Sequence, residues 1–326
     1  MGTSTLATVG VLSIGEMGLG VAKLLIAHNY RVVTNITGRS KYTQERAEEG
    51  KIETLATDED VVREADYILS IVPPRDALST AQRVADVLNF YKGIRSEPLY
   101  YLDLNAVSPR SARAILNLFQ DPTVALPVDG GIFGGPPSLS DAPASDGSGN
   151  PSWYKPKIPT SGPYNVAESP KSGQHLAETL HIRHISDDIG QASGLKMCFA
   201  STLKGFSGIL TQSFTTAQQL GVLDELKTLL GDISPATLHA AETSVPRVPP
   251  KAYRWVAEME EIAATFSEEA GFEKDLFLGV AGVYKTMSND TVLGQEKTGY
   301  RNRGKTVEDV ASAMNEGLQA KKKKSE

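Results

Sequence analysis

The stretch GVLSIGEMGLGVAKLL, Gly10 to Leu25, sets an apolar run against Gly15 and Gly18 and then continues with helical spacing. A strand that turns tightly into a helix aims unpaired backbone N–H groups and the positive end of the helix dipole at one spot, which suits a pyrophosphate. In such a dinucleotide turn the first of three glycines permits the bend, the second lets the backbone approach the pyrophosphate, and the third lets helix and strand pack closely. Gly15 and Gly18 occupy the second and third places, while Ser13 stands at the first. A small residue at negative φ can fill that place, and its hydroxyl can cap a neighbouring N–H. Ser13, Ile14, Gly15, Glu16 and Met17 are therefore the expected pyrophosphate-side residues.

At the end of the second apolar run, RVVTNI, a site that prefers NAD offers Asp or Glu to the ribose hydroxyls. Here TNITGRSKY puts Asn35 in that place and follows it with Gly38, Arg39, Ser40 and Lys41. Guanidinium and ammonium groups pair with a 2′-phosphate, and no neighbouring carboxylate in this stretch repels it. The expected cofactor is NADP(H).

These residues need a sheet to hold them. From Ala7 to about Ser186 short apolar runs alternate with segments of helical spacing, the pattern of a parallel sheet covered by crossover helices. The strands read as ATVGVL, RVVTNI, YILSIV, LYYLDLN, TVALPVD, KIPTSG and HIRHIS, with a weaker one at IETL. After Gly190 no strand pattern recurs. Leu195, Cys198, Phe199, Leu203, Phe206, Ile209, Leu210 and Phe214 follow at helical spacing, enough for one helix of roughly 30 residues and 45 Å. Further helices are expected at Ala252 to Ala270, Lys274 to Met287 and Val307 to Glu316. The fold class is α/β: a Rossmann-type, mostly parallel sheet domain over 1–188, then an all-helical domain over 189–320. The segment 135–160, crowded with Gly, Pro, Ser and Asp, reads as an insertion, either a functional cover or a mobile surface loop. The tail 321–326, KKKKSE, reads as a solvated, disordered end.

Composition excludes several function classes. The chain has 326 residues and 40% hydrophobic content, ample for packed cores, and its apolar runs fall far short of the roughly 20 residues of a membrane span. No basic-then-apolar leader pattern opens the sequence. A net charge of −6 argues against a nucleic-acid footprint, and the single cysteine, Cys198, fits a reducing compartment, so cytoplasmic localisation is expected. The partners expected are a small-molecule substrate and a second copy of the chain, because the long helix carries apolar residues on more than one face. No metal site is expected: HIRH, across a strand, puts His181 and His184 on opposite faces.

With the turn, the basic strand end and the later motifs together, the chain resembles the β-hydroxyacid dehydrogenase and 6-phosphogluconate dehydrogenase superfamily, and within it a fungal and bacterial branch with its own type of helical C-terminal domain. GEMG resembles the family's glycine turn with its methionine, Met17. SIVPP, Ser70 to Pro74, resembles the loop that runs along the nicotinamide, which implies cofactor roles for Val72, Pro73 and Pro74. DLNAVSP, Asp103 to Pro109, occupies the place of DxSTxxP, and VDGGIFGG resembles the substrate-binding glycine segment, implying Gly130 and Gly131. GQASGLKM places Lys196 where the family keeps its catalytic lysine. Asn105 and Ala106 replace the Ser and Thr of DxSTxxP, and Ala200 replaces an asparagine expected one turn beyond the lysine. Asn105 is the implied substitute, donating from its amide to the substrate and lining the cofactor.

The resemblance implies hydride transfer between NADP(H) and a small hydroxy acid or its carbonyl counterpart. A lysine in a partly desolvated cleft loses its charge more readily and can exchange a proton with the reacting oxygen. Lys196 sits between the apolar Leu195 and Met197. The alternatives are imine reduction, seen in another branch that generally lacks the lysine, and a low-turnover NADP-binding sensor. Glu258 and Glu261 are expected as solvated charges or partners of Arg254. Arg301, Arg303 and Lys305 are either anion contacts or loop charges.

Overall fold

The computed structural model describes residues 5–90, 97–143 and 151–325. Its contacts divide the chain into two units, Met1–Lys196 and Met197–Glu326. The sequence suggested a division near residue 189. The contacts move it because the residues just after that point hydrogen-bond back to the sheet.

In the first unit β1 (Thr8–Leu12), α1 (Glu16–Ala27), β2 (Arg31–Thr34), α2 (Lys41–Glu49), β3 (Glu53–Thr54), α3 (Asp58–Glu64), β4 (Tyr67–Ser70), α4 (Pro74–Phe90), β5 (Leu99–Asp103), α5 (Pro109–Leu116) and β6 (Ala125–Gly130) follow one another. The strands lie side by side in the order β3-β2-β1-β4-β5-β6, every neighbour parallel. This is the doubly wound order, in which the chain reverses direction across the sheet between β1 and β4 and opens a crevice at the carboxyl ends of the strands. Helices cover both faces. Val9, Val11, Val21, Leu24 and Leu25 belong to one core, while Val61, Ile68, Val84, Leu88 and Ile115 belong to the other. Strands buried on both sides are apolar throughout, and for that reason they stand out in the sequence.

The chain then departs from the simple alternation. β7 (Ser138–Pro143) and β8 (Pro151–Tyr154) pair antiparallel with each other in a small separate sheet. β9 (Ile158–Ser161) joins β6 antiparallel, and after α6 (Gly173–Leu180) β10 (Ile182–Ser186) runs parallel to β9 at the sheet's edge. The segment 135–160 is therefore built largely of strands; residues 144–150 within it lie outside the described residues. His181 is not in a strand but ends α6 in a left-handed conformation, φ 53°. Next comes α7 (Gln191–Ala200).

Helical residues continue past α7 into the second unit, but a π-helical turn at Ser201–Gly205 interrupts the regular ladder. Its wider turn leaves the Lys204 carbonyl to accept from the Tyr284 hydroxyl. The rest is α8 (Phe206–Gln219), α9 (Leu223–Ile233), α10 (Pro235–Ser244), α11 (Ala252–Ala270), α12 (Asp275–Asp290) and α13 (Val307–Ser325). Two expectations need correction, and of the two open readings of Arg301 and Arg303 the loop-charge one fits. Glu258 is buried and pairs with Lys204, whose ammonium also lies 5.3 Å from the centre of the Trp255 ring. Arg303 is engaged by Asp309 at 2.7 Å and Glu316 at 3.2 Å, and Arg301 donates to the Gly304 carbonyl, so these charges fasten the start of α13. The lysine-rich tail continues α13 as helix through Ser325, and Lys321 pairs with Asp290 at 2.7 Å. Among the described residues no helix is long and apolar enough to cross a membrane.

Candidate functional site

The candidate residues of the first unit collect at one edge. Ser13 to Met17 follow β1, Val72 to Pro74 follow β4, Asn105 follows β5, and Gly130 and Gly131 end β6, all at the carboxyl ends of parallel neighbours.

The glycine turn is explained by close approach. A Cβ on Gly18 would lie 2.0 Å from the Ser13 carbonyl oxygen and 3.5 Å from Val11, so α1 can rest on β1 only without one. A Cβ on Gly15 would meet nothing within 4 Å; it would instead project into the open space before the first turn of α1, where Gly15 is the N-cap at φ −79°. That space and those unpaired N–H groups fit a pyrophosphate. Ser13 is not among the positive-φ residues, and among the described residues no hydrogen bond of its hydroxyl caps α1. Glycine's freedom was not needed at that bend.

Beyond β2, Gly38 takes φ +71° and turns the chain so that Ser40 caps α2, with Arg39, Ser40 and Lys41 exposed at that helix's start. Lys41 reaches Glu45 only loosely, at 3.6 Å. Asn35 does not face this group openly. Its Oδ1 accepts from Thr37 N at 2.9 Å, and its Nδ2 donates to Asp58 at 2.9 Å. The carboxylate missing from the local sequence is thus supplied by the first residue of α3, contrary to the expectation that none stands near. Arg83 meets the other oxygen of Asp58 at 2.8 Å. With that charge paired, Arg39 and Lys41 still make the strand end net basic, which fits a 2′-phosphate.

Asn105 is 3% exposed and braces two strand ends. Its Oδ1 accepts from Val72 N at 2.6 Å, and its Nδ2 donates to Ser70 Oγ at 2.9 Å and to Asp103. An amide has two N–H donors, and both are used within the chain. The loop Val72 to Pro74 is consequently held by Asn105, and Asp76 N to Pro73 O at 2.9 Å starts α4 directly behind it.

Lys196 is reached through Asp129. This fully buried carboxylate, at the end of β6, accepts from Gly190 N at 3.0 Å, Ser193 N at 3.1 Å, Ser193 Oγ at 2.5 Å and Ser161 Oγ at 2.7 Å. Ser161 Oγ in turn accepts from Ala192 N at 2.9 Å. Three N–H groups around the start of α7 are thereby satisfied, and the negative charge lies at the positive end of the helix. Gly190, at φ +98°, and Gly194 let Pro109 pack against the same helix. One turn on, Lys196 lies half-buried with its stem against Gly131, where a Cβ would come within 3.1 Å of the lysine's own Cβ. Its Nζ donates to the Ile132 carbonyl at 2.5 Å and stands 4.9 Å from the centre of the Phe133 ring. Lys196 and Gly131 are brought together, whereas Gly130 faces the other way, where a Cβ would lie 2.7 Å from Leu104.

Asp129, Ser161, Ile132 and Phe133 were not singled out from the sequence. An acid closing the apolar strand TVALPVD was the available signal for Asp129, since a buried charge needs partners.

Residues 8–89 match the family model described as NADP oxidoreductase coenzyme F420-dependent, and residues 217–287 match a domain of unknown function, DUF1932. An uncharacterised 28.5 kDa protein of Methanothermus fervidus is 26% identical over 223 residues, which cover 67% of this chain and 76% of that protein. A solved 3-hydroxyisobutyrate dehydrogenase of Mycobacterium tuberculosis, in complex with L-serine, is similar with a TM-score of 0.60 at 15% identity, over 95% of this chain and 98% of the other. An imine reductase of Myxococcus stipitatus in complex with NADP+ is similar with a TM-score of 0.52 at 18% identity, over 94% and 98% of the two chains. At such identities the likeness is one of fold: a Rossmann-type sheet followed by a helical region, as in the 3-hydroxyacid dehydrogenases.

Replacing Asp129 by alanine leaves four buried donors without their acceptor. The variant is expected to lose about 3 kcal/mol of stability in urea unfolding and to exchange the Gly190 and Ser193 amide protons faster. An unchanged midpoint with unchanged exchange would refute the anchoring role.

Proposed function

We propose that the protein is an NADP-dependent oxidoreductase of the 3-hydroxyacid dehydrogenase type, acting on a small hydroxy acid or its carbonyl counterpart. The match of residues 8–89 to an NADP oxidoreductase family supports the cofactor and the reaction class. The observation that carries the finer reading is Lys196, anchored through α7 to Asp129 and held at the Ile132 carbonyl on the strand edge where the dinucleotide turn also lies.

When bound, the nicotinamide supplies the hydride exchange. The chain's own work is positioning and one proton. Gly15 leaves room for the pyrophosphate, Arg39 and Lys41 hold the 2′-phosphate, and Asn105 fixes the loop Val72 to Pro74 beside the ring. The substrate oxygen sits at Lys196 Nζ. In oxidation the hydroxyl proton passes to that nitrogen as hydrogen leaves the carbon with its electron pair, and a carbonyl forms; in reduction the proton returns to the oxygen. Gly131 leaves the surface beside Lys196 free of a side chain.

Imine reduction remains the second reading, favoured by one observation: the Asn105 amide is spent on Ser70 and Asp103, which removes a donor for a substrate carboxylate. In that reading, or in a sensor with little turnover, Lys196 has no proton to exchange.

We further propose a cytoplasmic homodimer formed through the helical unit, where Leu203, Phe206 and Ile209 are 56%, 38% and 47% exposed along one helical stretch. Light scattering at micromolar concentration is expected to give twice the chain mass, and a monomer would refute it.

Arg39→Ala is expected to weaken NADPH binding by about 1–3 kcal/mol and to leave NADH binding nearly unchanged in a titration of each cofactor. Equal losses would contradict the 2′-phosphate assignment. Lys196→Met keeps the stem and deletes the titrating head. Assayed with hydroxy acids, aldehydes and amine–ketone pairs, it should bind NADPH normally while alcohol oxidation falls by about two to four orders of magnitude. Retained alcohol oxidation would end the lysine mechanism, and loss confined to the hydroxy acids would separate it from imine reduction.

A further inference from the structure

Three basic residues lie along the chain segments beside Phe133 and Lys196, and the proposed reaction has no use for them. The sheet register puts them there. Phe133 and Lys157 exchange both backbone hydrogen bonds, at 2.8 and 3.0 Å, and Ile158 N donates to the His181 carbonyl at 3.0 Å. The backbones of Phe133, Lys157 and His181 therefore follow one another as neighbours, past the carboxyl end of β6 and at the ends of β9 and α6. Lys155 stands two residues before Lys157, and the Tyr154 hydroxyl ties that segment to Gly135 N at 3.1 Å. A Cβ on Gly134 would come within 2.5 Å of the same hydroxyl, so the segment lies flat on the glycine run.

Lys157 and His181 are exposed at the surface. Lys155 is half-buried, and burial pushes its ammonium below the usual lysine range. His181 is held below the usual imidazole range first by burial and then by the charges of Lys155 and Lys157. Among the described residues no carboxylate pairs with any of the three. His181 also occupies the left-handed position that closes α6, φ 53°, where glycine is the unstrained choice. Two ammonium groups without a carboxylate partner among the described residues, beside an imidazole on a strained residue, fit a site whose counter-charge arrives with a ligand.

We propose that Lys155, Lys157 and His181 form an oxyanion-binding rim that takes a carboxylate or phosphate carried by the substrate away from its reacting carbon. The assignment rests on Lys196 as the reacting centre. Strands lie about 5 Å apart, so Lys157 and His181 stand one and two strand spacings from Phe133, the ring beneath Lys196. The preferred substrate then carries its second oxyanion away from the carbon that exchanges hydride, which selects an elongated acid or phosphate ester over a three-carbon hydroxy acid.

The five histidines of the chain allow a direct test through their imidazole C–H resonances. The protein, saturated with NADPH, is titrated at constant ionic strength with inorganic phosphate, with succinate and with chloride. The resonance that disappears in His181→Asn is expected to shift saturably with phosphate or with succinate and not with chloride. The double variant Lys155→Gln, Lys157→Gln should weaken that binding roughly tenfold or more. Saturation by succinate alone assigns a carboxylate, and by phosphate alone a phosphate. Equal shifts for all three salts, or equal affinity in the double variant, would overturn the rim. If the protein fails to bind NADPH, the proposed function falls separately, and the same titration of the cofactor-free chain still reads the rim at His181.

Discussion

A carboxylate with no exposure to water must be met by donors or the fold cannot contain it, and Asp129 sets that condition for the first unit. Its position is fixed by β6, which pairs with β5 through the register Asp103 to Asp129. Its donors come from two other places, the end of β9 and the residues that begin α7. Neither the antiparallel arrival of β9 nor the starting point of α7 is free to slide, because a shift of one residue would leave a buried charge with broken hydrogen bonds. The lysine one turn along α7 inherits that precision without any bond of its own to Asp129. Lys196 is thus positioned by backbone N–H groups around a helix start, which are stiffer than side chains.

The cofactor turn depends on the opposite device, the removal of atoms. Gly18 admits the Ser13 carbonyl, and Gly20, two residues on, admits Pro136 and Pro137, whose atoms would lie 2.8 to 3.0 Å from a Cβ there. One face of α1 therefore touches the strand that feeds it and the other touches the start of the segment that ends in Lys155 and Lys157. Overpacking at either glycine would move the helix whose first turn faces the pyrophosphate.

The parallel core was legible because its strands are buried on both faces, and α11 was legible to its ends because Met259, Ile262 and Ala263 recur on one buried stripe. α9 carries Leu223, Leu226, Leu230 and Ile233 at helical spacing but buries no residue, and α10 buries only Ala241; neither was read as a helix. The direction of β9 was not legible, since it follows from pairing with a strand some thirty residues earlier and not from its own four residues. The same limit hid the partners of the site. Asn35 showed its lack of charge, but Asp58 reaches it from the next helix but one; Asn105 showed an amide, but its three partners lie on strands β4 and β5 and the loop between β4 and α4. Lys196 carries no local mark beyond its apolar neighbours, and its position among family motifs was the signal. The tail misled because a lysine run reads as repulsion, whereas lysine is a good helix former and Asp290 offsets one charge.

The two-way backbone pairing of Phe133 with Lys157 closes the intervening residues into a module whose ends meet. A loop with joined ends can change in length or composition at little conformational cost to the frame that carries it. Sheet, dinucleotide turn and lysine would stay as they are while the module between those two residues was exchanged, and with it Lys155. Diversification of substrate preference among proteins built on this plan can therefore proceed by cassette replacement, leaving the hydride-transfer chassis untouched.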